Sequence, residues 1–257
     1  MEILGDHLPE IDKQTRCRCF IRCLQTIKTW SDQHTNHLPI FVALEIKDGW
    51  WIEDYKAYLN TPGEKELQLI EKYILSVWWN GDGVDNRIFM PDQLRGNYTS
   101  LNAAVRACGW PSVNEMRNKI VFTILETDEV RSAYTEYPNH ESLQHRVMFT
   151  LPNGGNNNRM FDKDVAMGKF DSSLKDLKEI KKHVAAGFLI RTRGVTVTDQ
   201  SIKRLKAAAI GGAQLISLDG DINNLWKNYL YEENDFNGGA KCGSVNVSIG
   251  GCAWVGC

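Results

Sequence analysis

Glu45 and Lys47 stand two residues apart in Leu44-Glu45-Ile46-Lys47-Asp48, at the carboxyl end of a continuous apolar run. A spacing of two puts both side chains on one side of a strand. The carboxylate suits a hard cation such as calcium or magnesium, and the ammonium suits a phosphate oxygen. An ion pair at a strand end has the same spacing, so the two readings stay open. Arg191 and Arg193 repeat the interval at the end of a later apolar run. Two arginines so placed can converge on one anion, or can be solvated charges. His7 follows the apolar pair Ile3-Leu4, and an imidazole there can protonate a leaving oxygen or serve a structural role. Glu10 and Asp12 fit either turns or supporting contacts, and Asp219 ends a further apolar run with the same ambiguity. The pairs Trp50-Trp51 and Trp78-Trp79 could seat in a membrane interface, although core or rim packing is the commoner use.

The elements that carry these residues alternate. Short apolar runs at Pro39–Ile46, Lys119–Leu125, Arg146–Leu151, Phe188–Thr192 and Gln214–Leu218 read as strands. The first is apolar throughout, as a strand covered on both faces would be. Helical spacing falls over Cys17–His34, with Phe20, Ile21, Leu24, Ile27 and Trp30 on one face. A second helix starts at Thr61-Pro62-Gly63-Glu64, where Thr61 caps, Pro62 takes the first helical position and Glu64 completes a capping box. Others fall over Leu101–Ala107, Asp171–Ala185 and Asp199–Ile210. Alternation of strand and helix predicts a parallel sheet, either a closed barrel or an open doubly wound sheet. In such folds ligands gather at the carboxyl ends of the strands.

The chain has 257 residues, 42% hydrophobic and 24% charged, with a formal net charge of -2. These values are those of one large globular domain, and they give no general field for nucleic acid. An anionic lipid surface would need a local basic patch. No apolar run reaches the length of a membrane span, and the first residues carry no signal-peptide pattern. Seven cysteines cluster as Cys17, Cys19 and Cys23, then Cys242, Cys252 and Cys257, with Cys108 apart. Clusters of this kind point to disulfides and an oxidising compartment, or else to reduced core thiols. A zinc set lacks its histidines or a second CxxC. Asn97-Tyr98-Thr99 and Asn246-Val247-Ser248 are glycosylation triplets.

Four stretches together resemble the calcium-dependent phosphoinositide phospholipase C family. They are His7-Leu8-Pro9-Glu10-Ile11-Asp12 with Cys17, Cys23 and Trp30-Ser31-Asp32; His37-Leu38-Pro39-Ile40 leading into Leu44-Glu45-Ile46-Lys47-Asp48-Gly49; Pro91-Asp92-Gln93-Leu94-Arg95-Gly96 with Gly109-Trp110-Pro111-Ser112 and Arg117-Asn118-Lys119; and Ala185–Arg193 followed by Gly212–Asp219. The resemblance implies an α/β fold, a TIM-type (β/α) barrel lacking its first two strands, over residues 1–220. A Gly-, Asn- and Cys-rich tail, 221–257, would pack on it. It implies a phosphoric diester hydrolase that cleaves phosphatidylinositol-type lipids, at a membrane surface, to diacylglycerol and inositol phosphate. By the same resemblance His7 is the general acid, Glu45 a Ca2+ ligand, and Lys47, Arg191 and Arg193 hold phosphate or inositol. A secreted or extracytoplasmic setting is expected, with the natural start upstream of Met1. Two departures bear on inositol contacts. The family's acidic run after the paired arginines reads Gly194-Val195-Thr196-Val197-Thr198 here, and its Thr-Asp-Tyr after the last strand reads Leu218-Asp219-Gly220. The alternatives are a truncated, inactive relative that binds lipid or a partner, and a glycerophosphodiester phosphodiesterase, which shares the Glu-x-Lys strand end.

Overall fold

Parallel strands joined by helices run through the computed structural model, which describes residues 19–46, 63–125, 128–135, 140–155, 158–195 and 202–218. The chain divides into two units. The first comprises Met1–Pro91 and Asn114–Met148, the second Asp92–Val113 and Phe149–Cys257.

In the first unit, α1 (Phe20–Gln33) leads into β1 (Ile40–Glu45), and α2 (Glu64–Val77) precedes β2 (Ile120–Leu125). β1 and β2 are parallel, in register from Ile40 opposite Ile120 to Glu45 opposite Leu125. β2 is buried from Ile120 to Ile124, and Trp78 packs edge-on to Phe122 at 5.7 Å. β1 is not covered on both faces. It is half-buried along most of its length, with Ala43 and Glu45 exposed. Among the described residues only β2 flanks it, which explains why its apolar run is not matched by burial. The face of α1 closes on Phe20 and Leu24, whereas Trp30 is exposed.

α2 starts later than its sequence suggests. Gly63 is the cap, and the Glu66 carboxylate accepts from the Gly63 N–H at 3.0 Å, so Glu66 rather than Glu64 closes the box. Thr61 and Pro62 lie outside the described residues.

The second unit holds α3 (Pro91–Arg95, which begins at the unit boundary), α4 (Leu101–Cys108) and the short β3 (Phe149–Thr150). The first unit carries one more helix, α5 (Asp128–Thr135). β3 is shorter than the apolar run 146–151. The Val147 N–H is taken by the Glu71 carboxylate at 2.7 Å and the Met148 N–H by the Tyr134 hydroxyl at 3.0 Å, so side chains replace ladder partners there.

β4 (Met167–Phe170), α6 (Leu177–Ala185), β5 (Leu189–Val195), α7 (Ile202–Ile210) and β6 (Leu215–Leu218) follow. Their strands form a parallel sheet in the order β4-β5-β6. The sequence pattern did not indicate β4. The Trp110 indole donates to the Ala166 carbonyl at 3.0 Å, and the Asn102 amide to those of Met160 and Val165, fixing α4 to the start of β4. Gly187, with φ +93, turns the chain from α6 into β5, and a side chain there would meet the Val105 carbonyl. No continuous barrel closes among the described strands, and no described helix is long and apolar enough to cross a membrane.

Candidate functional site

The carboxyl ends of the second unit's strands gather cations. Alternation on β4 and β5 buries Gly168, Phe170, Ile190 and Thr192 on one face, where α7 packs on β5. Lys169, Arg191 and Arg193 therefore share the other face. Lys169 stands opposite Arg191, and Arg193 opposite Ser217. Asn153 extends the row through a parallel bridge to Lys169.

Asp171, just past β4, sits among them. One of its oxygens lies 3.6 Å from Lys169 Nζ and 3.9 Å from Arg193 Nε, and the other accepts from Asn153 Nδ2 at 3.4 Å. The two cation distances are ion-pair range rather than hydrogen bonds. Asp171 thus steadies the cations without consuming their donors. Ser217 Oγ is buried and has no hydrogen-bond partner among the described residues. A buried hydroxyl without a protein partner takes one from water or from a polar ligand. A set of Lys, Arg, amide and hydroxyl donors on one face can hold a phosphate and neighbouring hydroxyls.

In the first unit Glu45 is exposed at the carboxyl end of β1, the strand end where ligands bind in parallel folds. Calcium takes six to eight oxygens, and Glu45 supplies at most two. Among the described residues no group of three or more His, Cys, Asp or Glu side chains could hold a metal ion. The described residues therefore do not make up a calcium site. His7, Lys47, Glu10, Asp12 and Asp219 lie outside the described residues, as do Trp50 and Trp51.

Two other polar groups in the first unit look like chemistry and are not. Ser31 Oγ is 2.8 Å from His37 Nε2, as in a nucleophile–base pair. His37 Nδ1, however, is 2.5 Å from the Leu38 carbonyl and must donate to it, so Nε2 accepts from the hydroxyl. Arg87 adds a bond to Ser31 Oγ at 3.2 Å. The pair is buried at the amino end of β1, the wrong end for a site, and it clamps α1 to the strand. Arg87 also joins Asp85 at 2.6 Å and Asp32 at 2.5 Å. The bond from Arg87 holds Asp85 below the usual carboxylate range, and the bond from Lys28 does so first for Asp32. The second group is Glu71, Tyr134 and Arg146, all buried. Tyr134 donates to Glu71 at 2.5 Å and Arg146 at 3.3 Å, with the Arg146 guanidinium 4.4 Å over the Tyr134 ring. Of the tryptophan pair, Trp78 is core and Trp79 is 58% exposed. Trp79 follows the carboxyl end of α2.

Sequence reasoning found Arg191 and Arg193 and missed Lys169, Asn153, Asp171 and Ser217. The one available signal was Met167-Gly168-Lys169-Phe170-Asp171, where alternation and a closing acid mark a short strand end.

A parallel α/β protein with a basic face at its strand ends is thus defined. Residues 4–237 match the family model of calcium-dependent phosphoinositide phospholipase C. The chain belongs to that family. Among solved structures it is similar to the calcium-dependent phosphoinositol-specific phospholipase C of Pseudomonas sp., with a TM-score of 0.51 and 18% identity, over 74% of this chain and 62% of that one. It is also similar to the Ca2+-dependent phosphatidylinositol-specific phospholipase C of Streptomyces antibioticus, with a TM-score of 0.54 and 17% identity, over 80% of this chain and 71% of that one. At these identities the likeness is one of fold, and the chain spans less than two thirds of the Pseudomonas enzyme's length. No curated protein matches.

Proposed function

We propose that this protein is a calcium-dependent phosphoric diester hydrolase that cleaves phosphatidylinositol-type lipids into diacylglycerol and inositol phosphate. The observation that carries the reading is the shared face of Lys169, Arg191 and Arg193 beside the orphan Ser217 hydroxyl. Those cations offset the charge of a phosphodiester and of the crowded phosphorus that follows attack. The inositol 2-hydroxyl gives its proton to a base or to solvent and forms the new bond to phosphorus as the bond to the diacylglycerol oxygen breaks, and water then opens the resulting cyclic phosphodiester to inositol phosphate. By the family resemblance His7 gives its proton to that departing diacylglycerol oxygen, and Lys47 holds phosphate or inositol. Glu45 is one calcium donor, and the remaining oxygens must come from elsewhere in the molecule or from solvent.

The strands belong to a partial (β/α) barrel over 1–220, with 221–257 as a tail packed on it. An extracytoplasmic, disulfide-forming setting is part of the same reading. The exposed triplet at Asn97 supports it.

Turnover of phosphatidylinositol and of a glycerophosphodiester, measured side by side with calcium and with chelator, tests the proposal. Inositol phosphate release that stops on chelation is expected. Dominant release of glycerol phosphate, or no release of either product, overturns it. Glu45→Gln should raise the calcium needed for half-maximal turnover, and an unchanged requirement removes Glu45 from the metal.

A further inference from the structure

The turn between β4 and α6 joins two local features. Leu174, near its middle, is 49% exposed. Lys175 and Lys178, also exposed, bracket the start of α6, where the helix dipole favours anions and opposes cations. A single exposed leucine or lysine is ordinary, but the two together make an apolar tip beside cations.

The turn is not slack. The Arg204 guanidinium donates to the Asp171 carbonyl at 2.8 Å, and Ser173 Oγ donates to the Arg204 carbonyl at 2.7 Å. The Asp176 N–H reaches the Ser172 carbonyl at 2.9 Å, and the Ser172 N–H reaches the Asp176 carboxylate at 3.3 Å. Leu174 is therefore held outward by bonds on both sides. Along α6, Ile180 and His183 face the core, which leaves Lys178, Lys181 and Lys182 on one exposed stripe. Glu179 engages Lys182 at 3.0 Å, and Asp176 is turned to Ser172. The balance of that surface is positive.

The position matters as much as the charge. The turn leaves the carboxyl end of β4, and Asp171 at its root is the residue that steadies Lys169 and Arg193. In the second unit the other large exposed hydrophobic residues stand elsewhere: Tyr98 lies between α3 and α4, Ile210 ends α7 on the way into β6, and Phe161 ends the 3-10 turn Asn158–Phe161.

We propose that the β4–α6 turn docks on the surface of an anionic phospholipid bilayer, with Leu174 entering the interface and Lys175, Lys178 and Lys181 facing the head-group charge. This rests on the lipid substrate of the preceding subsection. An apolar tip ringed by lysines is complementary to an anionic lipid interface, whereas nucleic acid or an acidic protein would use the lysines and not the leucine.

The full chain is tested by co-sedimentation with vesicles of phosphatidylcholine alone and of phosphatidylcholine with phosphatidylglycerol, neither containing the substrate lipid. Binding stronger on the mixed vesicles is expected. Leu174→Asp should weaken it by about tenfold, from the lost apolar burial. Lys175→Gln and Lys178→Gln should each weaken it about fivefold, with a shallower salt dependence. Turnover of a monomeric, water-soluble inositol phosphodiester should be the same in all variants, and their melting temperatures should match. Equal binding to both vesicles by the parent chain, or parent-like binding by Leu174→Asp, overturns the proposal. Lysine-dependent but leucine-independent binding also overturns it, in favour of a generic anion surface. Vesicle binding that depends on Leu174 with no phosphodiester turnover would leave the docking surface standing and remove the proposed reaction.

Discussion

Lys169 on β4 and Arg191 on β5 stand opposite one another in parallel register. Two cations are thereby set side by side on one sheet face, with Arg193 one step further along β5. Asp171 stands 3.6 Å from Lys169 and 3.9 Å from Arg193, at ion-pair distance. A bound phosphate would satisfy them more fully. Lys169→Gln should therefore lower kcat/KM for the phosphodiester by about ten- to a hundredfold, the range for losing a charged hydrogen bond. Folding should survive, because Lys169 is partly solvated. A steady-state comparison with an unfolding control checks this, and parent-like kinetics would remove Lys169 from the site.

Part of this arrangement was legible in the sequence. β1, β2, β5 and β6 are apolar runs whose bounds agree with the expected strands to one residue, except that β5 runs three residues further, to Val195. β4 has four residues with Gly168 and Lys169 in the middle, so neither propensity nor periodicity marked it. The start of α6 was set too early because Ser172 and Asp176 bond to nearby backbone and hold a turn, which periodicity does not encode. Arg191 and Arg193 could be found because their spacing is local. Lys169, Asn153 and Ser217 meet them only through strand register, which is a long-range property. The depth of Glu71 was equally hidden, since its partners Tyr134 and Arg146 come from 63 and 75 residues away.

That buried group sets a stability prediction. Glu71→Ala should cost about 3–5 kcal/mol, because it strands the Arg146 guanidinium in the core. The Glu64 carboxylate, 3.6 Å from Arg146, gives only partial relief. Tyr134→Phe should cost less, about 1–3 kcal/mol for the unpaired acceptor and donor it leaves. Burial, and then the charge of Glu71, push the Tyr134 hydroxyl well above its ordinary value, so it remains a donor. Its contribution is intact below about 10 and is lost as pH rises through the higher folded value. Urea unfolding of both variants would show the order, and a smaller cost for Glu71→Ala than for Tyr134→Phe would contradict it.

His183 predicts the opposite dependence. It is buried against Phe161, Phe170 and Phe188, with ring centroids 5.9, 5.9 and 5.7 Å away. Burial first, and the Lys182 charge second, lower its pKa below 6.5, while Glu179 pulls weakly the other way. The unfolded chain then binds the proton more readily than the folded one. Stability from this residue is complete above about 6.5 and declines as pH falls below that value towards the lower folded one. Thermal melting across this range should show a fall in the parent that His183→Gln flattens. Identical pH profiles would mean that His183 carries no linked proton.

Gly168 gives a test of the sheet that carries the basic face. It lies in β4 immediately before Lys169, and a Cβ built on it would overlap Met160 Sδ and its methyl. A glycine inside a strand marks such a close approach. Gly168→Ala should therefore destabilise the protein by about 1–3 kcal/mol, the usual cost of overpacking. The obstacle is the end of a flexible thioether, so Met160→Ala should offset part of that loss when the two changes are combined, although alone it leaves a cavity. The predicted signature is a non-additive double-mutant cycle in which the pair is more stable than the sum of the single changes. Additive losses would place the strain on the β4 backbone instead. Lys169 would then be displaced with it, and phosphodiester turnover should fall along with stability.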